Sequence, residues 1–445
     1  MSFLVMHLIM RLPSLSTTAK HLFYWLLAVY LISALIIPSV SDIVAGCLLL
    51  LGWTYVLCFF ERTNLTKMEW AVILIFVLYS VNSLMSFLFV DSQRLAQYRL
   101  EDDVKFAFLL PLFMYLRNTQ ISEKYLIRLF VFVVIFLGIT SLVQAYGMYN
   151  YREAWFVFDG YTAHMYRPAG SVNPMRYAAI TLILSAFIFA YLMLFKVDKY
   201  FLKMLFLVSV LLGIGACLLT QTRGVWLAVP MVLLFFIFYL FRTGNKKVGG
   251  GVLLSGILVI AFLSQLDVVE KRVERAVKSI ELYEDGNSQT SIGTRLDMYV
   301  VAFQLFKEKP LFGHGLNGFK VKTSEMKESG ELEGYSRELG VRKTAHNEFF
   351  QAAVEKGVVG LILTMGLFLI PLYVFYLNVS SPDRVIRWFA SCGVLMLVVL
   401  FVAGQSGTIM NHKTFTHFYI FMVFLFLSQI YYRKDAMLDG IKENK

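Results

Sequence analysis

The sequence predicts an all-α polytopic membrane protein of about 12 transmembrane helices, with one large helical loop between spans 9 and 10. Three observations carry that prediction. Of 445 residues, 58% are hydrophobic and only 16% charged, with a mean hydropathy of +0.65, a composition that requires lipid as solvent. Eleven uncharged stretches approach the roughly 20 residues needed to cross about 30 Å of hydrocarbon. When these stretches are threaded back and forth, the net charge of +11 falls on one side of the membrane.

Taken in order, residues 2–10 are apolar but stop at Arg11, with no small-residue cleavage pattern behind them, so an interfacial helix is expected there and not a removable signal peptide. The spans follow at 21–41, 43–60, 70–90, 129–151, 177–195, 204–222, 224–241, 248–266, 357–382, 388–411 and 414–432. Phe106 to Leu116 is shorter and contains Pro111, and charge decides its reading. With that stretch spanning and the N-terminus inside, the cytoplasmic segments hold 19 of the 41 Lys and Arg against 8 acids. Short outer loops hold 8 basic and 7 acidic residues, and Asp267 to Lys356 holds 14 and 15. Removing the Phe106 span would set Lys196, Lys199 and Lys203 across the membrane from Arg11, Lys20 and Arg62, against the positive-inside rule.

Three units are therefore expected: residues 1–266 with spans 1 to 9, residues 267–356 as a loop domain, and residues 357–445 with spans 10 to 12 and a cytoplasmic tail. A basic excess confined to cytoplasmic loops leaves nucleic-acid binding unsupported. Cys47, Cys58, Cys217 and Cys392 all lie within spans, and the histidines form no HxxxH pair, so no disulfide framework, metal site or cofactor is expected.

Polar residues gather in two outer regions. One runs from about Gly147 to Tyr177 and contains Arg152, His164 and the run Arg167-Pro168-Ala169-Gly170-Ser171-Val172-Asn173-Pro174-Met175-Arg176. The other, Asp267 to Lys356, is too long for a plain connector. Within it, Val269, Val273, Val277 and Ile280 form one apolar stripe of a helix whose other face carries Glu270, Lys271, Glu274, Arg275 and Lys278, suited to the membrane surface. Thr294 and Asp297 resemble a capping box opening a helix that Pro310 ends. Lys320 to Lys343 shows no period and is expected to be a mobile lid or loop, and a last helix should run from near Thr344 to Gly357. Gly313-His314-Gly315-Leu316-Asn317-Gly318 matches GxGxxG, but it follows a helix and not a strand, so it reads as glycines permitting a tight turn.

Three residues point to chemistry. Arg223, in Thr222-Arg223-Gly224, joins two spans at the outer surface, where it is either a snorkelling anchor or a partner for a lipid head group. Arg295 follows the capping threonine, a place the helix dipole disfavours for a cation unless an anion answers it; a solvated surface arginine is the plain alternative. His346 stands at a helix start, which disfavours imidazolium, so it is expected neutral and able to accept a proton. Arg167 and Arg152 complete the candidate substrate-binding set.

Arg223-x3-Leu227, the Arg167-to-Met175 run, the large outer loop and His346 followed ten residues later by Gly357 together resemble the O-antigen ligases and the related O-antigen polymerases, over roughly residues 160 to 405. The resemblance implies a metal-independent inverting glycosyltransferase of GT-C type in a bacterial inner membrane, its site on the periplasmic face and the 267–356 loop periplasmic. Its donor would be O-antigen on undecaprenyl diphosphate and its acceptor lipid A-core. Arg223 and Arg295 would hold the diphosphate and His346 would deprotonate the acceptor. Polymerisation with the same donor stays open beside ligation. So do metal-dependent transfer on Glu101, Asp102 and Asp103, and carriage of a polyprenyl-linked glycan by a transporter.

Overall fold

The computed structural model describes residues 13–59, 64–88, 93–151, 167–242, 267–341 and 344–443, with a few single positions between them. Every regular element among the described residues is a helix: α1 (Pro13–Ile36), α2 (Pro38–Phe59), α3 (Lys67–Leu88), α4 (Gln93–Phe108), α5 (Leu110–Arg117), α6 (Glu123–Asn150), α7 (Pro174–Leu194), α8 (Tyr200–Leu219), α9 (Arg223–Trp226), α10 (Ala228–Arg242), α11 (Asp267–Glu284), α12 (Gly293–Glu308), α13 (Gly318–Glu328), α14 (Glu348–Tyr376), α15 (Arg384–Gly404) and α16 (Lys413–Glu443). Ten helical stretches among the described residues are long and apolar enough to cross a membrane: α1, α2, α3, α6, α7, α8, the pair α9 and α10, α14, α15 and α16. The chain is thus an all-α polytopic membrane protein. The span expected at 248–266 lies almost wholly outside the described residues.

Which helix sits in the middle follows from its pattern. From Phe418 to Leu427, α16 is apolar around its full circumference, and such a helix is stable only when surrounded. Its rings meet neighbours on several sides: Phe421 packs on Tyr30 of α1, Phe424 on Phe76 of α3 and Phe113 of α5, and Phe426 on Phe187 of α7 and Phe389 of α15. By contrast, Leu50, Leu57, Trp70 and Leu234 are exposed, as apolar side chains turned to lipid would be.

The bundle has two chemically distinct ends. At one, buried Arg117 donates to Glu69 at 2.6 Å and also pairs with Asp435, Arg433 reaches Asp383 at 2.8 Å, and Lys196 and Lys199 stand exposed. At the other, Arg99 donates to the carbonyl of Met410 at 2.7 Å, and Ser171 N–H to that of Leu35 at 3.0 Å. Arg99 and Arg117 belong to consecutive helices, α4 and α5, joined at Leu109 with Pro111 in the first turn of α5. The short stretch around Phe106 therefore runs from one end of the bundle to the other.

Between α11 and α14 the structure differs from expectation in three places. Thr294 and Asp297 do not cap α12, whose N-cap is Ile292; Thr290 Oγ1 accepts from Gly293 N–H instead. Thr294 and Asp297 face inward, and each bonds to Ser336, at 2.7 Å from the Thr294 hydroxyl and 2.7 Å from the Asp297 carboxylate to the backbone N–H. The 320–343 stretch begins inside α13 and continues as packed turns through Val341, with Phe319 and Leu339 buried against Met298, Val301 and Leu305 of α12. Its lack of period reflects one short helix followed by turns, both held by that small core. The last loop helix starts at Glu348, capped by the Asn347 side chain, and passes through Gly357 into the span as one kinked helix. At the kink Gly357 has φ +64°, and Val358 N–H donates to the Pro310 carbonyl at 2.8 Å. The glycine-rich turn docks there: His314 N–H donates to Val354 and Gly315 N–H to Glu355.

Candidate active site

Arg223 is the first residue of α9, which fills the turn between α8 and α10. The turn is tight enough to hold Gln221 at φ +53°, and the Thr220 hydroxyl bridges the Cys217 carbonyl at 2.7 Å and Thr222 at 3.0 Å. Gly224 lets this turn lie directly on the end of α15: a Cβ there would fall 1.9 Å from Ser406 Oγ. Three other guanidinium groups, those of Arg275, Arg295 and Arg167, lie within electrostatic reach of Arg223. Like charges gathered from four separate elements repel one another and favour an anion between them. Arg223, Arg295 and Arg167, expected as a set, are therefore near neighbours, and Arg275 joins them from the polar face of α11. Arg152 and His164 lie outside the described residues.

His346 immediately precedes the cap of α14 and takes φ +52°, a left-handed conformation that non-glycine residues adopt only where the surroundings hold it. The structure supplies that hold on both sides. Before it, Ala345 N–H donates to Gln351 Oε1 at 2.7 Å, and Gln351 donates in turn to Glu355. After it, Asn347 accepts from Phe349 and Phe350 N–H and donates to the Gln405 carbonyl at 3.3 Å. The Gln405 carbonyl also accepts from Tyr299, one turn along α12 from Arg295, whose ring stacks on Phe350. A short chain of contacts thus links the Arg295 helix to the His346 segment.

The floor of this region is the turn from Gln405 to His412, between α15 and α16. Buried Glu348 accepts from Met410 N–H at 3.0 Å and from Ile409 N–H, Gly407 abuts Met175, and Arg176 donates to His412 Nδ1 at 3.0 Å. Desolvation and the neighbouring Arg176 and Arg99 charges hold the His412 imidazole well below its ordinary value of 6.5, so the ring is neutral at pH 7.

Behind the floor lies a buried ionic cluster that sequence reasoning missed. Lys356 donates to Asp103 and to Ser83, both at 2.7 Å, and sits 4.0 Å from the Tyr79 ring centroid. Arg99 approaches Asp103 at 3.7 Å and Glu355 at 3.6 Å. The three consecutive acids considered as metal ligands do not converge: Asp103 faces Lys356, Asp102 faces Lys105 at 2.9 Å, and Glu101 meets Lys105 and Lys413 at the surface. A sequence signal existed in Glu355-Lys356 beside Gly357, an ion pair's worth of charge at the mouth of a span, where charges are costly unless paired.

Comparison with known proteins bears on this geometry. A family model described as O-antigen ligase matches residues 207–365. An uncharacterized protein of Haemophilus influenzae is 22% identical over 417 residues, covering 92% of this chain and 99% of that protein. An O-antigen ligase of Escherichia coli is 24% identical over 277 residues, 58% of this chain and 64% of that protein. Arg223, Arg275, Arg295 and His346 all fall within residues 207–365, the segment that matches the O-antigen ligase family model.

Proposed function

We propose that the protein is an O-antigen ligase of a bacterial inner membrane, moving O-antigen polysaccharide from undecaprenyl diphosphate to lipid A-core in an inverting, metal-independent transfer on the periplasmic face. The observation that supports this most is the convergence of Arg167, Arg223, Arg275 and Arg295 at the end of the bundle where His346 is held.

The chemistry follows from those groups. A polyprenyl diphosphate leaves with the electron pair of the broken anomeric C–O bond, so charge grows on its phosphate oxygens, and guanidinium forks aimed at them stabilise that growth. Arginine stays protonated throughout and binds phosphate oxygens two at a time, a geometry lysine lacks. His346 takes the proton of the acceptor hydroxyl as its oxygen attacks the anomeric carbon from the face opposite the diphosphate, which inverts that carbon. The leaving group is already activated and already anionic, and the residues named supply what this chemistry requires of the protein.

Reconstitution of the purified protein with lipid-linked O-antigen and lipid A-core tests the reading. Glycan is expected on lipid A-core. Elongation of the lipid-linked glycan with lipid A-core left bare would make the protein a polymerase, and unchanged substrates would remove it from glycan transfer.

A further inference from the structure

A second polar feature adjoins His346. A cavity of about 200 Å³ opens between the start of α2, α4, the start of α7 and the turn before α16, and its lining includes Asp42, Asp102, Arg176, Asn411, His412 and Lys413 beside the hydroxyls of Ser41 and Thr414. Its size is below the ~300–1,000 Å³ of pockets for drug-sized ligands, a scale that suits a single ring and not a chain.

The lining is balanced in charge, with two carboxylates against two cations, an amide and an imidazole. Because a guanidinium has no acceptor, His412 Nδ1 must accept the Arg176 bond, which leaves the neutral ring carrying its proton on Nε2. Lys413 lies 3.6 Å from Asp42. The side-chain oxygen of Asn411 is buried and takes no hydrogen bond. An unmet buried acceptor costs about 1–3 kcal/mol, a cost that an arriving hydroxyl would remove. The arginine cluster, all of one sign, suits an anion. This cavity, with donors and acceptors together and no net charge, suits hydroxyl groups, each of which both donates and accepts.

We propose that this cavity binds a sugar ring of the acceptor, with Asn411 accepting from one hydroxyl and Asp42 and Arg176 engaging others. The proposal rests on the glycan transfer argued above. The acceptor is favoured over the donor sugar by position. His346 lies within electrostatic reach of His412, which lines the cavity. The hydroxyl to be deprotonated must face that base, whereas the donor ring is tied through its diphosphate to the arginines.

Steady-state kinetics of Asn411→Ala and Asp42→Asn provide the test. Each variant is expected to raise KM for lipid A-core about tenfold or more while KM for the lipid-linked donor and kcat at saturating acceptor stay near wild type. A rise in donor KM would give the cavity to the donor sugar and overturn the proposal, as would an unchanged acceptor KM. Asp42 is 45% exposed, so its substitution keeps the test available should Asn411→Ala fail to fold. If the wild-type protein transfers no glycan, the parent reading falls, and calorimetry with delipidated core oligosaccharide tests the cavity alone. Binding to wild type that is lost in Asp42→Asn and Asn411→Ala would support the proposal; no binding, or equal binding by the variants, would end it.

Discussion

Arg223 and Arg295 lie within electrostatic reach of each other, one on a turn between two spans and one on a loop helix. If both hold diphosphate, the forked geometry matters as much as the charge. Arg223→Lys and Arg295→Lys should each lose roughly 10- to 100-fold in turnover of lipid-linked donor, the scale of one lost hydrogen bond to a charged group. A normal rate in either lysine variant would remove that residue from the mechanism. His346 is expected to behave differently. His346→Ala should still bind undecaprenyl diphosphate, measured by calorimetry, while transfer falls by about 10²- to 10⁴-fold. Loss of donor binding would make His346 part of the scaffold. Arg223 stood out in the sequence because a charge between two apolar spans is itself unusual, whereas Arg295, Arg167 and His346 were singled out by helix-start position and by the family resemblance. The place of Arg275 beside Arg223 and the Lys356–Asp103 pair were not legible, because neighbours 52 and 253 positions apart leave no local pattern.

At the scale of the element, the decisive piece is α14, a helix broken by its own glycine. Gly357 at φ +64° lets the turn after α12 approach so closely that a Cβ would lie 2.2 Å from the Leu311 carbonyl oxygen. Gly357→Ala should therefore destabilise the protein by more than about 2 kcal/mol, since the left-handed backbone and the contact both resist the methyl. Thermal unfolding in detergent measures this, with Gly46→Ala as the reference, because nothing lies within 4 Å of a Cβ at that helical position. An unshifted transition in Gly357→Ala would contradict the role given to the kink. Helix existence was readable nearly everywhere from apolar length, and the break at Gly357 from the glycine itself. The roles of Thr294 and Asp297 were not, because the same residue types that cap a helix also serve to pin a distant turn, here at Ser336, and spacing alone does not separate the two uses. The packed turns after α13 escaped for a related reason: irregular backbone held by side-chain bonds has no period to detect.

For the whole molecule, the orientation expected from the charge pattern has a direct test in the bundle's two ends. Lys196 and Lys199 mark one end, and the His346 segment belongs to the other. In a cysteine-free background, a single cysteine at Ser329 should react with an impermeant thiol reagent in intact spheroplasts, and one at Asp198 should not. The reverse labelling would turn the protein over in the membrane and place the arginines on the cytoplasmic face. What composition could not show was which helix lies at the centre, since a window of apolar residues looks alike whether it meets lipid or protein; only the unbroken apolar circumference of α16 hinted at it.

The turn from Gln405 to His412 is a common neighbour of several parts of the site: it meets Arg99, Arg176, the Arg223 turn, Tyr299, Asn347 and Glu348. It also follows the arginine turn and the His346 segment in the chain, and is synthesised after both. During insertion, the arginine turn and the His346 segment enter the membrane well before the piece that fixes their spacing. A nascent chain halted before α16 would hold these groups without a floor beneath them, and the growing protein would be inert toward the lipid-linked donor proposed for it. On the proposed reading, transfer would begin only when the central helix is threaded, so completion of the bundle would be the event that starts it.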